Sequence, residues 1–514
     1  MKNLKRVLAL LLSVLMLVIS VTACKKEGND SKGEGNSSTD LKIGYWNSGY
    51  GSEWLEKFVE QFEKEYPQYN VILDMSASNE SIVSAYGMED IDDTDLYLCT
   101  LPSDKQYFEP LNDVLDCTVE GEDKTIGEKF KETTKNNYID ADGNYYQLPY
   151  IGEGTMTFVY NKKMFKEYGL SVPRTTGELG VIADSLLSEG IPAFCHYSGK
   201  GYWEYAVEVW YGQYEGYDYY YDNFYACTNE KGESPSIDVL LKKDGRYEVL
   251  KVMESLVTPE YIMEGSNSKN HTTVQTEFVS GKAAMMVNGP WLDAEVSSVG
   301  SLDDFGVFRV PVISSITDKL TTVKTEANLR KLITAIDDVL EGKKTEADYK
   351  VGEDYVIGDL VVSAADWEHV NGARRMVQRG KGNAAMIPTY SKAKEAAKDF
   401  LKFMYSDKGI QLIADNMQMR LPLGLSDGEL DISGWNSFKK EFDNIMKDCI
   451  ELSNDTDKTH PIFITGGAKL LNVSYIPYFC TKNSAERMTA DTAWEKNVKI
   501  VNDNYRTNWL ANIK

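Results

Sequence analysis

The chain has 514 residues and a formal net charge of −24, so it is long enough for two folded units. Such an acidic balance argues against nucleic-acid binding, which usually needs a basic face. Aromatic content is high, with 32 tyrosines and 9 tryptophans, and these residues supply many flat apolar surfaces.

The first 23 residues have the pattern of an export signal. Lys2, Lys5 and Arg6 precede an apolar run over 7–19, which is shorter than the ~20 residues that a membrane-spanning helix needs. The tetrapeptide that follows, Val21-Thr22-Ala23-Cys24, resembles the lipobox of bacterial lipoproteins. The resemblance implies that Cys24 is acylated and becomes the first mature residue. An ordinary secretory signal followed by an incidental cysteine is the alternative.

The segment after Cys24 is predicted to be a tether, over residues 24–40. Residues 25–40 include no apolar side chain, so they cannot form a core and are expected to be disordered. A flexible chain of this length reaches roughly 22 Å. Together with the lipid, the tether would hold a folded body on the extracytoplasmic face of the cell membrane. No second long apolar run follows.

Six cysteines remain besides Cys24, and the sequence leaves their pairing open. Six cysteines allow 15 pairings. Three disulfides and mostly free, buried thiols are both compatible with a core of this size. The six are Cys99, Cys117, Cys195, Cys227, Cys449 and Cys480.

The body begins with a strand, a helix and a second strand. Residues 41–46 predict the first strand, and Ser52 can cap a helix that ends at Pro67. One face of this helix repeats aromatic residues every four positions, at Trp54, Phe58, Phe62 and Tyr66. Strands at 71–73 and 95–100 follow. This order predicts a parallel sheet in an α/β lobe.

The middle of the chain repeats this alternation. Residues 143–149 predict a strand that crosses between lobes, and 155–160 predict another strand. Asn161 can cap a short helix. Thr175 and Glu178 have the spacing of a capping box, and the helix that they begin leads to a predicted strand at 191–194.

The later elements include one segment that interrupts the pattern. A buried strand is predicted at 283–287, after a helix that ends at Gly281. Residues 315–355 are charged and partly helical, and they are interpreted as an insertion or a connection between lobes. Ser391 begins a long amphipathic helix, and 409–417 continue it as a second helix.

The order of four stretches resembles the family-1 extracellular solute-binding proteins of ABC importers, a family that includes maltose- and oligosaccharide-binding proteins. The stretches are 41–73, 143–187 (with YYQLPY and VYNKKMFKEYGLSVPRTTGEL), 277–291 (EFVSGKAAMMVNGPW) and 386–417 (MIPTYSKAKEAAKDFLKFMYSDKG). Two stretches depart from the family, the segment 315–355 and an aromatic segment at 200–225.

The resemblance implies an α/β, two-lobed fold of the periplasmic-binding-protein type, with a ligand cleft and a hinge between the lobes. The first lobe would comprise 41–152 and 272–314, and the second lobe 153–271 and 356–514. Such a protein captures a solute, here a carbohydrate, and delivers it to an importer permease in the membrane. It works as a monomer, without a cofactor, and is not an enzyme.

A carbohydrate cleft needs aromatic platforms for the apolar faces of sugar rings and polar side chains for the hydroxyls. Buried polar groups left unpaired cost roughly 1–3 kcal/mol each, so specificity comes from completing those pairs. For each tryptophan, ordinary core packing is the alternative. The candidate ligand residues are Trp46, Asn47, Glu153, Trp203, Glu204, Trp291, Asp366 and Trp367.

These candidates rest on different arguments. Trp46 and Asn47 follow the first strand, at the end where open α/β sheets bind ligands. Glu153 and Trp291 match cleft-facing positions of the family.

The other four candidates lie in or after the segments that depart from the family. Trp203 and Glu204 are near a position where the family often has a stacking aromatic. Asp366 and Trp367 could line the cleft from the other lobe.

Two other functions stay open. A receptor for a polyamine or a phosphate ester is one, because acidic side chains and aromatic rings also suit a cation. A surface lipoprotein glycosidase is the other, because the many carboxylates could include a catalytic pair. The sequence contains no GxSxG, HExxH, paired CxxC or phosphate-loop motif, and its four histidines are isolated, which predicts no metal site.

Overall fold

The computed structural model describes residues 38–47, 49–75, 81–82, 84, 86–88, 92–101, 105–151, 156–197, 201–225, 236, 238–379, 382–453 and 475–504. The predicted signal peptide, Cys24 and most of the predicted tether lie outside these residues. The end of the predicted tether does not: Thr39 and Asp40 belong to the first strand, where they pair with Tyr69 and Asn70.

Thirteen strands are found within the described residues. They are β1 (Thr39–Tyr45), β2 (Tyr69–Asp74), β3 (Leu96–Cys99), β4 (Leu148–Pro149), β5 (Thr157–Asn161), β6 (Met285–Asn288), β7 (Phe305–Phe308), β8 (Lys350–Val351), β9 (Asp354–Ile357), β10 (Leu360–Val362), β11 (Met376–Arg379), β12 (Ala384–Met386) and β13 (Ile450–Ser453).

The α-helices of the same residues are α1 (Glu53–Glu65), α2 (Asn112–Leu115), α3 (Ile126–Lys129), α4 (Glu132–Asn136), α5 (Lys162–Glu167), α6 (Thr176–Ser188), α7 (Trp203–Glu215), α8 (Tyr217–Tyr219), α9 (Asp238–Leu241), α10 (Gly245–Leu256), α11 (His271–Val279), α12 (Leu292–Glu295), α13 (Glu326–Leu340), α14 (Ala364–Arg375), α15 (Lys394–Met404), α16 (Asp407–Met417), α17 (Ser437–Lys447), α18 (Ile476–Phe479) and α19 (Ala490–Asn504). A π-helix (Tyr220–Tyr225) follows α8, and short 3₁₀ helices cover Ser266–Ser268, Ser314–Asp318 and Glu346–Asp348.

The first lobe is built on a five-stranded sheet in the order β2-β1-β3-β12-β4. β1 runs parallel to β2 and β3, whereas β12 is antiparallel to β3 and β4. Helix α1 buries the predicted aromatic face of Trp54, Phe58 and Phe62. Phe58 packs edge-on against Phe400 of α15, with ring centroids 5.1 Å apart. The predicted strand–helix–strand unit is therefore confirmed.

The second lobe surrounds a three-stranded sheet in the order β6-β5-β7, with antiparallel pairs. Phe158 of β5 stacks on Phe308 of β7, with ring centroids 5.3 Å apart. Trp203 and Trp210 of α7 also pack against the Phe158 ring. The segment 315–355 packs on this core through the buried face of α13. It is therefore a part of the second lobe rather than a connection between lobes.

The chain passes between the lobes at more than one place. It leaves the first lobe after β4, returns between β11 and β12, and enters the second lobe again before α17. β11 and β13 lie side by side as a parallel pair. Several connections of this kind are the usual basis of hinge motion between two lobes.

The predicted lobe boundaries are wrong at two places. Residues 272–314 belong to the second lobe and not, as predicted, to the first, because β6 and β7 both pair with β5. Residues 356–514 were assigned wholly to the second lobe, but β12 pairs with β3 and β4, and α15 and α16 pack in the first core. Short apolar strands such as β12 carry no local signal for the sheet that they join.

Local signals were more reliable at helix starts than at short strands. The Asn161 side chain caps α5 by accepting from the Met164 amide at 3.1 Å, as predicted. The capping box is only half present, because Thr175 accepts from the Glu178 amide while Glu178 accepts from the Arg174 amide. The predicted strand at 191–194 is wrong: it reduces to bridges from Phe194 to Ile262 and Met285.

Free thiols are found at Cys99, Cys117, Cys195 and Cys480, and this excludes three disulfides among the six cysteines. Burial raises the pKa of Cys480, and Cys99 and Cys195 are buried among apolar side chains. Cys227 lies outside the described residues. Across the described part of the chain, no helix has both the length and the apolar character needed to cross a bilayer.

Candidate functional site

The loop after β1 brings the first lobe against the second. Asn47 accepts a hydrogen bond from the Gly51 amide at 2.8 Å, and the Tyr45 hydroxyl donates to the Gly51 carbonyl at 2.7 Å. These bonds fold the loop so that Tyr50 projects at its tip. The Tyr50 ring packs against the hydrophobic cores of both lobes.

Trp291 is the partner of Tyr50 in the second lobe. Its ring meets Tyr50 edge-on, with centroids 6.0 Å apart, and meets Tyr202 edge-on at 5.6 Å. Gly289 lies directly beneath the ring, where any Cβ would collide with it. The ring is therefore held on three sides, and 7% of the Trp291 surface remains exposed.

More aromatic and polar side chains extend this contact. Tyr202 packs edge-on against Tyr197 at 5.3 Å and Tyr205 at 6.0 Å. Burial raises the pKa of both Tyr197 and Tyr202, and the charge of Glu295 adds to this rise. We define the Trp291 cluster as Tyr50, Tyr197, Tyr202, Tyr205, Trp291 and Glu295.

Glu295 is the acidic group of the Trp291 cluster. Burial raises its pKa, although a hydrogen bond from Gln275 at 2.6 Å opposes the rise. Gly49 faces it from the first lobe, with φ of 90°, and a Cβ there would lie 3.1 Å from the Glu295 Oε1 atom. Glycine is required here for both its backbone conformation and the close approach of the lobes.

A cavity of about 590 Å³ lies between the lobes beside Tyr50. This volume falls within the range of roughly 300–1,000 Å³ that is typical of small-molecule sites. Its walls come from the loop and start of α1, from α12 and the residues after it, from the end of α16, and from α17. The lining residues are Tyr50, Gly51, Glu53, Trp54, Asp293, Ala294, Ser297, Gly300, Ser301, Asn416, Met417, Gln418 and Lys439.

Lys439 is the buried cation of this cavity. Burial lowers its pKa to about 8, although the nearby charge of Asp293 partly offsets this effect. Its ammonium donates one long hydrogen bond, of 3.3 Å, to the Met417 carbonyl. The cavity therefore holds a weakly paired donor that an acceptor group of a ligand could complete.

The structure brings three predicted ligand residues to the Trp291 cluster or beside it, namely Trp291, Asn47 and Glu204. Trp291 is at its centre. Asn47 is exposed and shapes the Tyr50 loop, and Trp46 is half-buried, with its amide bonded to the Leu98 carbonyl at 3.0 Å. Glu204 is half-buried, and its charge contributes to raising the pKa of Tyr197 and Tyr202. Glu153 lies outside the described residues.

Trp203 is a core residue, contrary to the prediction. It is 1% exposed and packs edge-on against Phe158 and Phe194. Its indole donates to the His196 ring at 3.4 Å. The sequence could not separate it from Tyr202, because both belong to one aromatic run and only the phase of α7 decides which side chain points inward.

Asp366 and Trp367 also have structural roles, contrary to the prediction. Trp367 is 2% exposed and stacks on Tyr355, with centroids 4.1 Å apart. Asp366 accepts from the amides of Thr321, Thr322 and Val323. Burial alone would raise its pKa, but these bonds outweigh burial and lower the pKa to about 2. Asp366 therefore binds the backbone at 321–323 and Trp367 packs on β9, so both side chains hold α14 against the segment 315–355.

Sequence reasoning missed several residues of the site. Tyr50 follows Asn47 by three positions, and Tyr202 lies in the aromatic segment that departs from the family, so both had a weak signal. Glu295 and Lys439 had none, because each is one charged residue among many in a chain of this composition. Within the described residues, no group of three or more His, Cys, Asp or Glu side chains could hold a metal ion.

The chain matches the family of bacterial extracellular solute-binding proteins over residues 46–411, more than half of its length. A maltotriose-binding protein of Pyrococcus abyssi is 29% identical over 176 residues, which cover 34% of this chain and 33% of that relative. The chain thus spans a third of the length of this relative. An uncharacterized ABC transporter extracellular-binding protein of Pyrococcus horikoshii is 23% identical over 60% of this chain and 70% of its own.

Solved structures are similar over nearly the whole chain. The bacterial solute receptor AcbH, which prefers β-D-galactopyranose, has a TM-score of 0.59 and 15% identity, over 91% of this chain and 98% of its own. A chitin oligosaccharide binding protein has a TM-score of 0.58 and 17% identity, over 91% and 99%. These likenesses establish the predicted two-lobed α/β fold. Together with the family match, they show that the chain belongs to the bacterial extracellular solute-binding proteins.

Proposed function

We propose that this protein is the solute-binding receptor of an ABC importer and that its solute is a carbohydrate. The observation that carries the proposal is the Trp291 cluster, where aromatic rings of both lobes meet beside an acidic side chain. A solute that contacts both sides would favour the approach of the lobes, as hinge closure requires.

The chemistry of the site suits a sugar better than a wholly apolar or strongly charged solute. Aromatic rings can pack on the C–H faces of sugar rings, whereas Glu295, held by Gln275, can pair with hydroxyls. Lys439 supplies a donor in the cavity next to Tyr50. Buried polar groups of this kind discriminate strongly, because a solute without the matching hydroxyls leaves them unpaired.

The named relatives support the same class of solute. One is a maltotriose-binding protein, and the similar structures include receptors for β-D-galactopyranose and chitin oligosaccharide. A further similar structure is that of RafE in complex with raffinose, which is 14% identical with a TM-score of 0.57. We propose that this chain shares their class of ligand, without assigning the individual sugar.

The wider setting follows from the family and the sequence. The receptor would act as a monomer, be acylated at Cys24, and deliver its solute to a permease on the extracytoplasmic face of the membrane. It would bind the sugar without turning it over.

Acylation is tested by expressing the full chain and Cys24→Ser in a bacterium: the parent should fractionate with membranes, and the variant should be released.

The test of the proposed function is a thermal-shift screen of the full chain. The panel comprises mono- and oligosaccharides, polyamines and phosphate esters, with chromatography of each sugar after incubation. A ligand of the folded state raises stability by about 2.7 kcal/mol at a hundredfold excess over Kd. One class of sugar should raise Tm and be recovered intact. A shift by polyamines or phosphate esters alone would contradict the carbohydrate proposal, and sugar breakdown would indicate a glycosidase.

A further inference from the structure

Arg309 is a half-buried arginine with one donor turned away from solvent. It follows β7 in the second lobe, and its Nη1 atom is shielded from solvent and has no hydrogen-bond partner among the described residues. Burial, and then the like charge of Arg374, lower the pKa of Arg309 to about 10. A guanidinium carries five N–H donors and stays charged, so burying it without acceptors is unfavourable.

Arg374, near the end of α14, has the same unfulfilled donor. Its side chain is 7% exposed, and it reaches Asp337 of α13 through Nε at 2.8 Å and Nη2 at 3.3 Å. Its Nη1 atom is buried without a partner in the part of the chain that the structure describes. The two arginines lie on neighbouring stretches of backbone, because the Gln213 side chain donates to the carbonyls of both Val310 and Ala373, at 3.4 and 3.1 Å.

The surrounding charges do not balance this pair. Asp337 is already shared between Arg374 and Arg174, whose Nε atom lies 3.4 Å from the carboxylate. The other titratable groups around Arg309 are Asp448 and Cys449, and their effect on its pKa is smaller than the effect of desolvation. Three arginines thus surround one carboxylate.

We propose that Arg309 and Arg374 together bind a small inorganic anion inside the second lobe. Guanidinium groups form strong, charge-assisted hydrogen bonds to anions, and one anion can accept from both Nη1 groups. Because both atoms are shielded from solvent, the site suits chloride, sulfate or phosphate rather than an organic anion. The Arg309 side chain is half-buried, so its outer part is in contact with solvent.

The anion would join three elements of the second lobe. Arg309 extends from β7, Arg374 from α14, and Asp337 holds Arg374 from α13. The site is separate from the Trp291 cluster and does not depend on the nature of the solute. Its predicted role is to hold the segment 315–355 against the β6-β5-β7 sheet of the second lobe.

The test compares the thermal stability of the full chain in sodium gluconate with that in chloride, sulfate and phosphate at equal ionic strength. Gluconate serves as the bulky organic reference. The wild type should show a saturable rise of a few degrees in Tm with at least one inorganic anion. Arg309→Met should lose this rise. Arg330→Met is the matched control, because Arg330 is an exposed arginine paired with Glu178, and it should keep the rise.

The order of stability gives a second, independent readout. In gluconate, Arg309→Met should be at least as stable as the wild type, because it removes an uncompensated buried charge. In the saturating anion, the order should reverse. Equal anion effects in the wild type and Arg309→Met, or no anion effect in the wild type, would overturn the proposal. If Arg309→Met does not fold, calorimetric titration of the wild type and Arg309→Gln with the same salts decides between the same outcomes.

Discussion

Asp366 shows how a single carboxylate can fasten a long segment. Three consecutive backbone amides, of Thr321, Thr322 and Val323, point at it, and the hydroxyl of Thr322 adds another bond at 2.6 Å. Its folded-state pKa of about 2 is lower than that of an unfolded aspartate. The carboxylate therefore contributes stability above about pH 4, and this contribution is lost as the pH falls towards 2.

We expect Asp366→Asn to destabilise the protein by about 1–2 kcal/mol at pH 7, after a discount for solvent screening. Urea unfolding at pH 7 and at acidic pH measures the effect, and the gap between variant and wild type should narrow below pH 4. Asp359→Asn is the control, because Asp359 is exposed and pairs with Lys331 at the surface. A constant gap at all pH values would contradict the charged role of Asp366.

Lys439 differs from Asp366 in that its charged form costs stability. Its folded-state pKa of about 8 lies below that of an unfolded lysine, so the folded state binds fewer protons between about pH 8 and 10.5. Stability should therefore rise with pH across this window, and the cost below pH 8 is on the order of 3 kcal/mol.

Replacing this lysine should remove that cost. We expect Lys439→Met to unfold at a higher urea concentration than the wild type at pH 7 and to lose the rise between pH 8 and 10.5. Lys447→Met, which changes an exposed lysine of the same helix, is the control and should leave the pH profile unchanged. An unchanged profile in Lys439→Met would show that another group causes any rise.

At the scale of elements, the turn between β6 and α12 determines the position of the central ring. The Gly289 amide donates to the Asn288 side chain at 2.7 Å, and the Trp291 ring covers the glycine. Overpacking at such a position typically costs 1–3 kcal/mol, or displaces the neighbour.

We expect Gly289→Ala to displace the Trp291 ring and to weaken solute binding by about tenfold or more. Binding is measured by titration, and the indole environment by fluorescence. Gly434→Ala is the control, because a Cβ at Gly434 meets nothing within 4 Å. Unchanged affinity would mean that the position of the Trp291 ring does not matter for the solute.

Elements with local determinants could be predicted from the sequence. The aromatic repeat of α1 and the Asn161 cap depend on residues three or four positions apart, and both were confirmed. The strand at 191–194 depends on distant partners, Ile262 and Met285, and was wrong. The prediction that Trp203 lines the cleft was wrong for the same reason, because its burial depends on the distant residue Phe158 as well as on Phe194.

At the scale of the whole molecule, the two lobes exchange segments along the chain. β12, α15 and α16 complete the first lobe after some 220 residues of the second. The family resemblance predicted two lobes correctly, but the segment 315–355 obscured where the chain returns. Sheet membership is set by pairing between strands that are hundreds of residues apart, which no local pattern encodes.

The central claim is that the solute binds where the two lobes meet. Calorimetric titration of the full chain with the sugar that raises Tm most tests it directly, alongside Trp291→Ala and the control Tyr478→Ala, which truncates an exposed aromatic of the second lobe. We expect one site per chain, lost in Trp291→Ala and kept in the control. Equal affinity in the wild type and Trp291→Ala would contradict it.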